Sequence, residues 1–201
     1  MPSLLPESIL LVDRHPSMTG AWRLCFQDNS AFEVVEGDYF SRPADAMVSP
    51  ANSFGIMDGG LDLAIRTSLG VDVQRRVQRV ILDEYHGEMT VGQAAIVTTS
   101  NSKWPFLVVA PTMRVPESVA RTTHAYLSFR ATLLAVQRFN ASAGSMKINS
   151  LVCCGLGTGI GAMNFTRCAL QMKMAYRQVA APARIPSFRQ ILELHEALLR
   201  S

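Results

Sequence analysis

Two glycine-rich turns carry the residues best able to do chemistry. The first lies in Val48-Ser49-Pro50-Ala51-Asn52-Ser53-Phe54-Gly55-Ile56-Met57-Asp58-Gly59-Gly60-Leu61-Asp62, where an apolar strand runs through Asn and paired Gly to an Asp at the start of a helix. Asn52 can donate and accept hydrogen bonds at once, which suits vicinal ribose hydroxyls, and Gly59 and Gly60 let backbone amides approach charged oxygens. The second turn, Gly155-Leu156-Gly157-Thr158-Gly159-Ile160-Gly161, also follows an apolar strand. Its successive amides can form an anion nest, to which Thr158 adds a hydroxyl. Two such loops at strand C-terminal ends fit one phosphorylated ligand.

Each feature also has a plainer reading. Asp62 suits a helix N-terminus through capping and the helix dipole; in the functional reading it orients a ribose hydroxyl or a water. Clustered glycines equally serve tight packing and positive φ angles. Arg114, after a later strand, reads as a solvated loop arginine rather than a ligand contact.

The rest of the chain must position these loops. With 201 residues, 48% of them hydrophobic and 17% charged, the chain suffices for one well-buried core and is short for two. The formal net charge of +3 comes without a dense Lys/Arg block, so nucleic acid is not indicated as a partner. Cys25, Cys153, Cys154 and Cys168 show no CxxC pairing, and His15, His86, His124 and His195 are scattered. No metal site follows from them, and no cofactor is implied. The N-terminal apolar run is broken by Pro6 and Glu7, unlike a secretory signal, and no apolar segment is long enough to span a bilayer. With free thiols, the expectation is a soluble cytoplasmic protein without membrane association.

Ile9 to Asp13, Trp22 to Gln27 and Phe32 to Val35 read as an opening group of strands. Asp45 to Ser49 reads as a buried strand, Leu61 to Leu69 and Val73 to Tyr85 as helices, and Ala94 to Thr99 and Phe106 to Ala110 as strands. Ser118 to Phe139 has helical spacing, Ile148 to Cys154 is a strand, and Thr166 to Val179 is a helix. Ser187 caps a terminal helix reaching Leu199. This alternation implies an α/β layer fold. The organisation expected is one domain over residues 1–181, with residues 182–201 as an appended C-terminal helix that packs on it or on a protein partner.

The loops match neither the P-loop GxxxxGK[ST] pattern nor a dinucleotide GxGxxG. The chain instead resembles the macrodomain family: Glu36-Gly37-Asp38, Asp45-Ala46-Met47-Val48-Ser49-Pro50-Ala51-Asn52-Ser53, Gly59-Gly60-Leu61-Asp62 and Gly155 to Gly161 stand in family order. Ser49-Pro50 replaces the family's usual Asn-Ala. The resemblance implies a three-layer α/β/α fold with a central mixed sheet that binds ADP-ribose or an ADP-ribosylated substrate. It implies that Asp38 contacts the adenine amino group, with Tyr39 beside the base. Ala51, Asn52, Gly59, Gly60 and Leu61 would lie along the distal ribose and diphosphate, and Gly157, Thr158, Gly159, Ile160 and Gly161 would cradle phosphates.

Asp62 falls where hydrolytic members of the MacroD type place an important Asp. This implies hydrolysis by water attack at the anomeric carbon of the distal ribose, with Asp62 and Asn52 as the catalytic residues. Leu63 and Arg66 depart from that subclass, the latter standing where a His is common, and Met57-Asp58 departs from a run of glycines. A different branch uses a Lys nucleophile and a late-loop Asp, but here the late position is Gly161 and no Lys adjoins the first loop. A non-catalytic ADP-ribose sensor is the alternative reading, and loops serving only folding or assembly are a third.

Overall fold

The computed structural model describes residues 4–142, 144 and 146–200. The elements in chain order are β1 (Ser8–Asp13), α1 (Pro16–Phe26), β2 (Phe32–Glu36), β3 (Ala46–Ser49), α2 (Gly60–Leu69) and α3 (Asp72–Tyr85). They continue with β4 (Ala95–Thr98), β5 (Phe106–Val109), α4 (His124–Ser142), β6 (Ser150–Cys153), α5 (Phe165–Ala180) and α6 (Phe188–Leu199). The strands form one six-stranded sheet in the order β2-β1-β6-β3-β5-β4, parallel throughout except for the antiparallel β4–β5 pair. The central strands β3 and β5 are buried along their whole length, as expected of parallel strands covered on both faces. Helices α1, α4, α5 and α6 adjoin one another through α5, while α2 and α3 pack together separately, which gives the α/β/α layering.

One expected strand is a helix. Trp22 to Gln27 falls largely within α1, which starts where the His15 side chain accepts a hydrogen bond from the Ser17 amide and Pro16 occupies the first turn. Met18, Thr19, Trp22 and Phe26 recur on its buried face. Six residues of apolar sequence are too short to separate that helical period from a strand run. The helix expected from Ser118 begins instead at His124, because the Val119 amide donates to Gly161 O at 2.8 Å and ties this segment to the late glycine loop.

The sheet is least continuous where it matters most for function. β3 and β6 pair in register only at Ala46 with Leu151 and at Met47 with Val152. Two side chains hold this short junction. Asp45 Oδ2 accepts from the Asn149 and Ser150 amides, both at 2.8 Å, and from Ser150 Oγ at 2.9 Å, fixing the start of β6 beside β3. Farther along, the Tyr39 hydroxyl stands between the strands: it accepts from the Val48 amide at 3.1 Å and lies 2.7 Å from Val48 O and 3.0 Å from Val152 O. Burial pushes this phenol well above the ordinary tyrosine range, so it keeps its proton for those carbonyls.

At the C-terminus, Ser187 and Gln190 form a capping box, Leu198 is buried, and Gln171 Nε2 donates to Leu198 O at 2.9 Å, seating α6 against the helix that carries Gln171. No helix among the described residues is long and apolar enough to cross a membrane.

Gly55 sets how the first loop meets α3. Its φ is +62°, and a Cβ there would stand 2.6 Å from Val77 Cγ1 and 2.9 Å from Ile81 Cδ1, both on buried side chains. Gly55→Ala therefore combines an unfavourable backbone conformation with overpacking, a loss of roughly 2–4 kcal/mol. Urea denaturation checks this; an unchanged midpoint would contradict the close seating of the loop on α3.

Candidate functional site

The first loop grows directly out of the sheet. Beyond β3 the chain continues to pair with the segment following β5: the Ala110 amide donates to Ser49 O at 3.0 Å, Thr112 N to Ala51 O at 3.0 Å, and Ser53 N to Arg114 O at 3.2 Å. Asn52 then folds the loop upon itself. Its Oδ1 accepts from the Phe54 and Ile56 amides at 3.1 and 3.2 Å, and its Nδ2 donates to Ile56 O at 2.7 Å. The Met57 side chain is buried, with its amide donating to Gln74 Oε1 at 3.0 Å, whereas Asp58 stays exposed.

Gly59 is the N-cap of α2 and supplies no side-chain cap. The amides of Gly60, Leu61 and Asp62, in the first helical turn, therefore keep their donors directed out of the helix end. The capping role considered for Asp62 is not the one it takes. Its carboxylate instead accepts a 2.5 Å hydrogen bond from Ser49 Oγ at the end of β3. Asp62 is 9% exposed and Ser49 1%. Burial pushes the Asp62 carboxyl up to about 6, and the Ser49 bond pulls it partly back.

The late loop forms the opposite wall. Gly157 has φ +75°, and a Cβ on Gly161 would meet Gly157 O at 2.5 Å, so this turn closes only around glycine. Met163 N donates to Gly157 O at 3.0 Å and Ala162 N to Gly159 O at 2.9 Å. Among the described residues, the amides of Thr158, Gly159, Ile160 and Gly161 have no protein acceptor. The Thr158 hydroxyl donates to Gly155 O at 3.0 Å, within the turn itself.

Between the walls lies a cavity of about 260 Å³, lined by Ala51, Asn52, Gly59, Gly60, Leu61, Asp62 and the stretch from Gly157 to Gly161. A second cavity of about 300 Å³ holds Asp38 and Tyr39 and shares Asp13, Leu61 and Cys154 with the first. Asp38, Tyr39, Ala51, Asn52, Gly59, Gly60, Leu61, Asp62 and the stretch from Gly157 to Gly161 thus gather at these two adjoining cavities. Tyr39, however, is placed with its ring in the core, and its hydroxyl joins β3 to β6 rather than standing free beside a base. Asp38 is exposed; it accepts from the Phe40 amide at 2.8 Å and pairs with Arg14, and both interactions hold its carboxyl below the usual range.

Asp13 and Cys154 line both cavities at the ends of β1 and β6, and Arg14 flanks the second. Sequence reading missed them, although position at the end of a central parallel strand was the available signal. Arg114 lies apart from the cavity: it pairs with Glu88 at 2.7 and 3.1 Å and stacks over Phe54 at 5.2 Å. Arg66 donates to Gln74 Oε1 at 3.0 Å. Among the described residues, no Lys, Arg or His lines the main cavity, while Asp13, Asp58 and Asp62 do. An anion entering it meets backbone amides rather than cations. No group of three His, Cys, Asp or Glu side chains suited to a metal ion occurs among the described residues.

The Macro domain family model matches residues 48–172. An uncharacterized protein of Aquifex aeolicus (strain VF5) is 29% identical over 137 residues, covering 65% of this chain and 72% of its own length. In fold, the chain is similar to the macrodomain of Mycobacterium tuberculosis DarG, with a TM-score of 0.59 at 18% identity over 72% of this chain and 89% of that one. The Trypanosoma brucei macrodomain solved in complex with ADP aligns with a TM-score of 0.51 at 17% identity, covering 98% of this chain and 62% of that one.

The buried Asp62 makes stability depend on pH. Its folded-state value near 6 lies above the unfolded value of 3.8, so its protonated form supports the fold fully below about pH 4. That support is lost as pH rises to about 6, leaving a penalty of about 3 kcal/mol at neutral pH. Asp62→Asn is expected to raise the melting temperature at pH 7.5 and to leave it unchanged at pH 4. Equal effects at both pH values would rule out a buried ionising carboxylate.

Proposed function

The chain belongs to the Macro domain family, and from that premise we propose that its cleft binds ADP-ribose and hydrolyses an ADP-ribosyl linkage at the distal ribose. The observation that carries the reading is the pairing of two amide rows across one cavity. The uncapped start of α2, at Gly60 to Asp62, and the stretch from Thr158 to Gly161, whose amides have no protein acceptor among the described residues, line the same cavity. Such rows bind a diphosphate through hydrogen bonds and oriented dipoles, without a cationic side chain. ADP, bound in the Trypanosoma brucei complex, contains the adenosine diphosphate portion of ADP-ribose. The second cavity, with Asp38 accepting from the adenine amino group, takes the base, and the main cavity takes the diphosphate and distal ribose.

In the hydrolytic step, a water held by Asp62 and a substrate phosphate oxygen attacks the anomeric carbon. The bond from that carbon to the departing oxygen breaks with its electron pair, so a carboxylate is a good leaving group from a modified Glu or Asp. Asp62 receives the proton of the attacking water. A carboxyl lifted to about 6 by burial is ionised at neutral pH yet basic enough to accept it. The two amide rows keep the phosphates still while the ribose reacts.

One observation favours a second reading, binding without turnover. The Asn52 amide is already committed to Phe54 and Ile56 on both its oxygen and its nitrogen, so it gives less to the ribose than a free Asn would. The two readings separate on a substrate panel of Glu/Asp- and Arg-linked mono-ADP-ribosylated protein, ADP-ribose-1''-phosphate and O-acetyl-ADP-ribose. Product from the Glu/Asp ester is expected, and Asp62→Asn should slow it by roughly 10²-fold or more. Calorimetric binding of ADP-ribose without product from any substrate would leave the sensor reading.

Binding itself has a clean control at Gly159, where a Cβ would meet nothing within 4 Å. Gly159→Ala should keep both fold and affinity, whereas Gly159→Glu should keep the fold and lose ADP-ribose heat by placing a charge among the phosphate-facing amides. Undiminished affinity in Gly159→Glu would remove the late loop from the site.

A further inference from the structure

Asp62 is the one buried carboxylate of the main cavity, and its two oxygens are unequal. Oδ1 is held by Ser49 Oγ at 2.5 Å, while Oδ2 has no hydrogen-bond partner among the described residues. The only side-chain nitrogen or oxygen atoms among the described residues that are both sealed from solvent and unpartnered are Trp22 Nε1 and Ser53 Oγ. Asp62 Oδ2 is therefore open to the cavity that Asp62 lines. The donor that makes this difference is itself rigid. Ser49 ends β3, is 1% exposed, and is paired through its carbonyl to the Ala110 amide, which fixes the backbone that carries the hydroxyl.

From this geometry we infer that Ser49 is a positioning residue: its hydroxyl turns the Asp62 carboxylate so that Oδ2 alone meets the ribose and its water. Resting on the ADP-ribose reading above, this assigns a function to the Ser that stands at the end of β3. A hydroxyl donates one proton, and this one, on a buried strand end, gives it to Oδ1, which makes it a selector between two otherwise equivalent oxygens.

The same bond governs protonation. The ionisable groups around Asp62 are Asp13 at the end of β1, Cys154 after β6, Tyr39 beneath the junction and Asp58 in the first loop. None of these is a cation, and Arg66, one helical turn away on α2, is bonded to Gln74. Ser49 is thus the donor that offsets burial and favours the ionised carboxylate. A site that needs Asp62 ionised gains from Ser49 in orientation and in charge at once.

The test is a carbon-detected NMR titration of the Asp62 carboxyl in the ligand-free chain, set beside the pH profile of ester hydrolysis. Wild type should titrate near 6. Ser49→Ala should move the midpoint up by about one pH unit, the worth of a hydrogen bond to a charged group, and the acid limb of kcat should follow it. Ser49→Thr, which keeps the hydroxyl, should restore both. A midpoint unmoved by Ser49→Ala overturns the inference, as does a moved midpoint with an unmoved kcat profile. If the wild-type chain shows neither binding nor turnover, the ADP-ribose reading fails. The titration alone then still decides whether Ser49 controls the carboxylate.

Discussion

Everything functional in this molecule depends on a parallel sheet that stops pairing at its centre. β3 and β6 share a short register and then separate, and the space past their last paired residues becomes the cleft. A seam so short, between two buried strands, leaves main-chain polar groups that must be satisfied. Asp45 does this at one end and the Tyr39 hydroxyl at the other. The tyrosine belongs to the connection before β3, so the segment carrying the exposed Asp38 is also the segment that closes the seam. The lining of the second cavity and the closure of the seam are therefore set by adjacent residues.

The electrostatics of the cleft follow from the same arrangement. Three aspartates line the main cavity without a cationic side chain among the described residues, a distribution that would repel a diphosphate if side chains alone determined the field. The main chain reverses this locally. The start of α2 and the late loop both line the cavity with amides that have no protein acceptor among the described residues, and glycine at Gly157 and Gly161 lets the late loop turn tightly. Backbone amides keep their charge distribution at any pH, whereas the Asp62 carboxyl, lifted to about 6 by burial, does not.

The sequence carried much of this in legible form, and its silences have physical causes. The order of Asp38, the β3–α2 loop and the late glycine loop pointed to the cleft because their combination resembles the macrodomain pattern, although each loop alone has plainer uses. The helical nature of Trp22 to Gln27 was illegible, since the cap at His15 and the buried face from Met18 onward lie mostly outside that run. Tyr39 and Thr158 were legible as residues of the cavity walls but not in their hydrogen bonds, because their partners Val48, Val152 and Gly155 are main-chain groups that carry no side-chain signature. The coupling of Ser49 to Asp62 was hidden for a related reason. It joins the end of a strand to the first turn of a helix across the intervening loop, a contact that only the finished turn creates.

The position of β6 has a consequence for how the chain reaches this state. β6 lies between β1 and β3 in the sheet, yet it is made last of the six strands. During synthesis, everything before Ser150 can assemble only as two separate parts, β2 with β1 and β3 with β5 and β4, each with an unpaired edge. Insertion of one four-residue strand joins the halves, pairs both edges and brings the late glycine loop opposite α2 in a single event. The cleft therefore cannot be complete until β6 is in place, and without β6 the β1 and β3 edges it covers would be open to pairing with other chains.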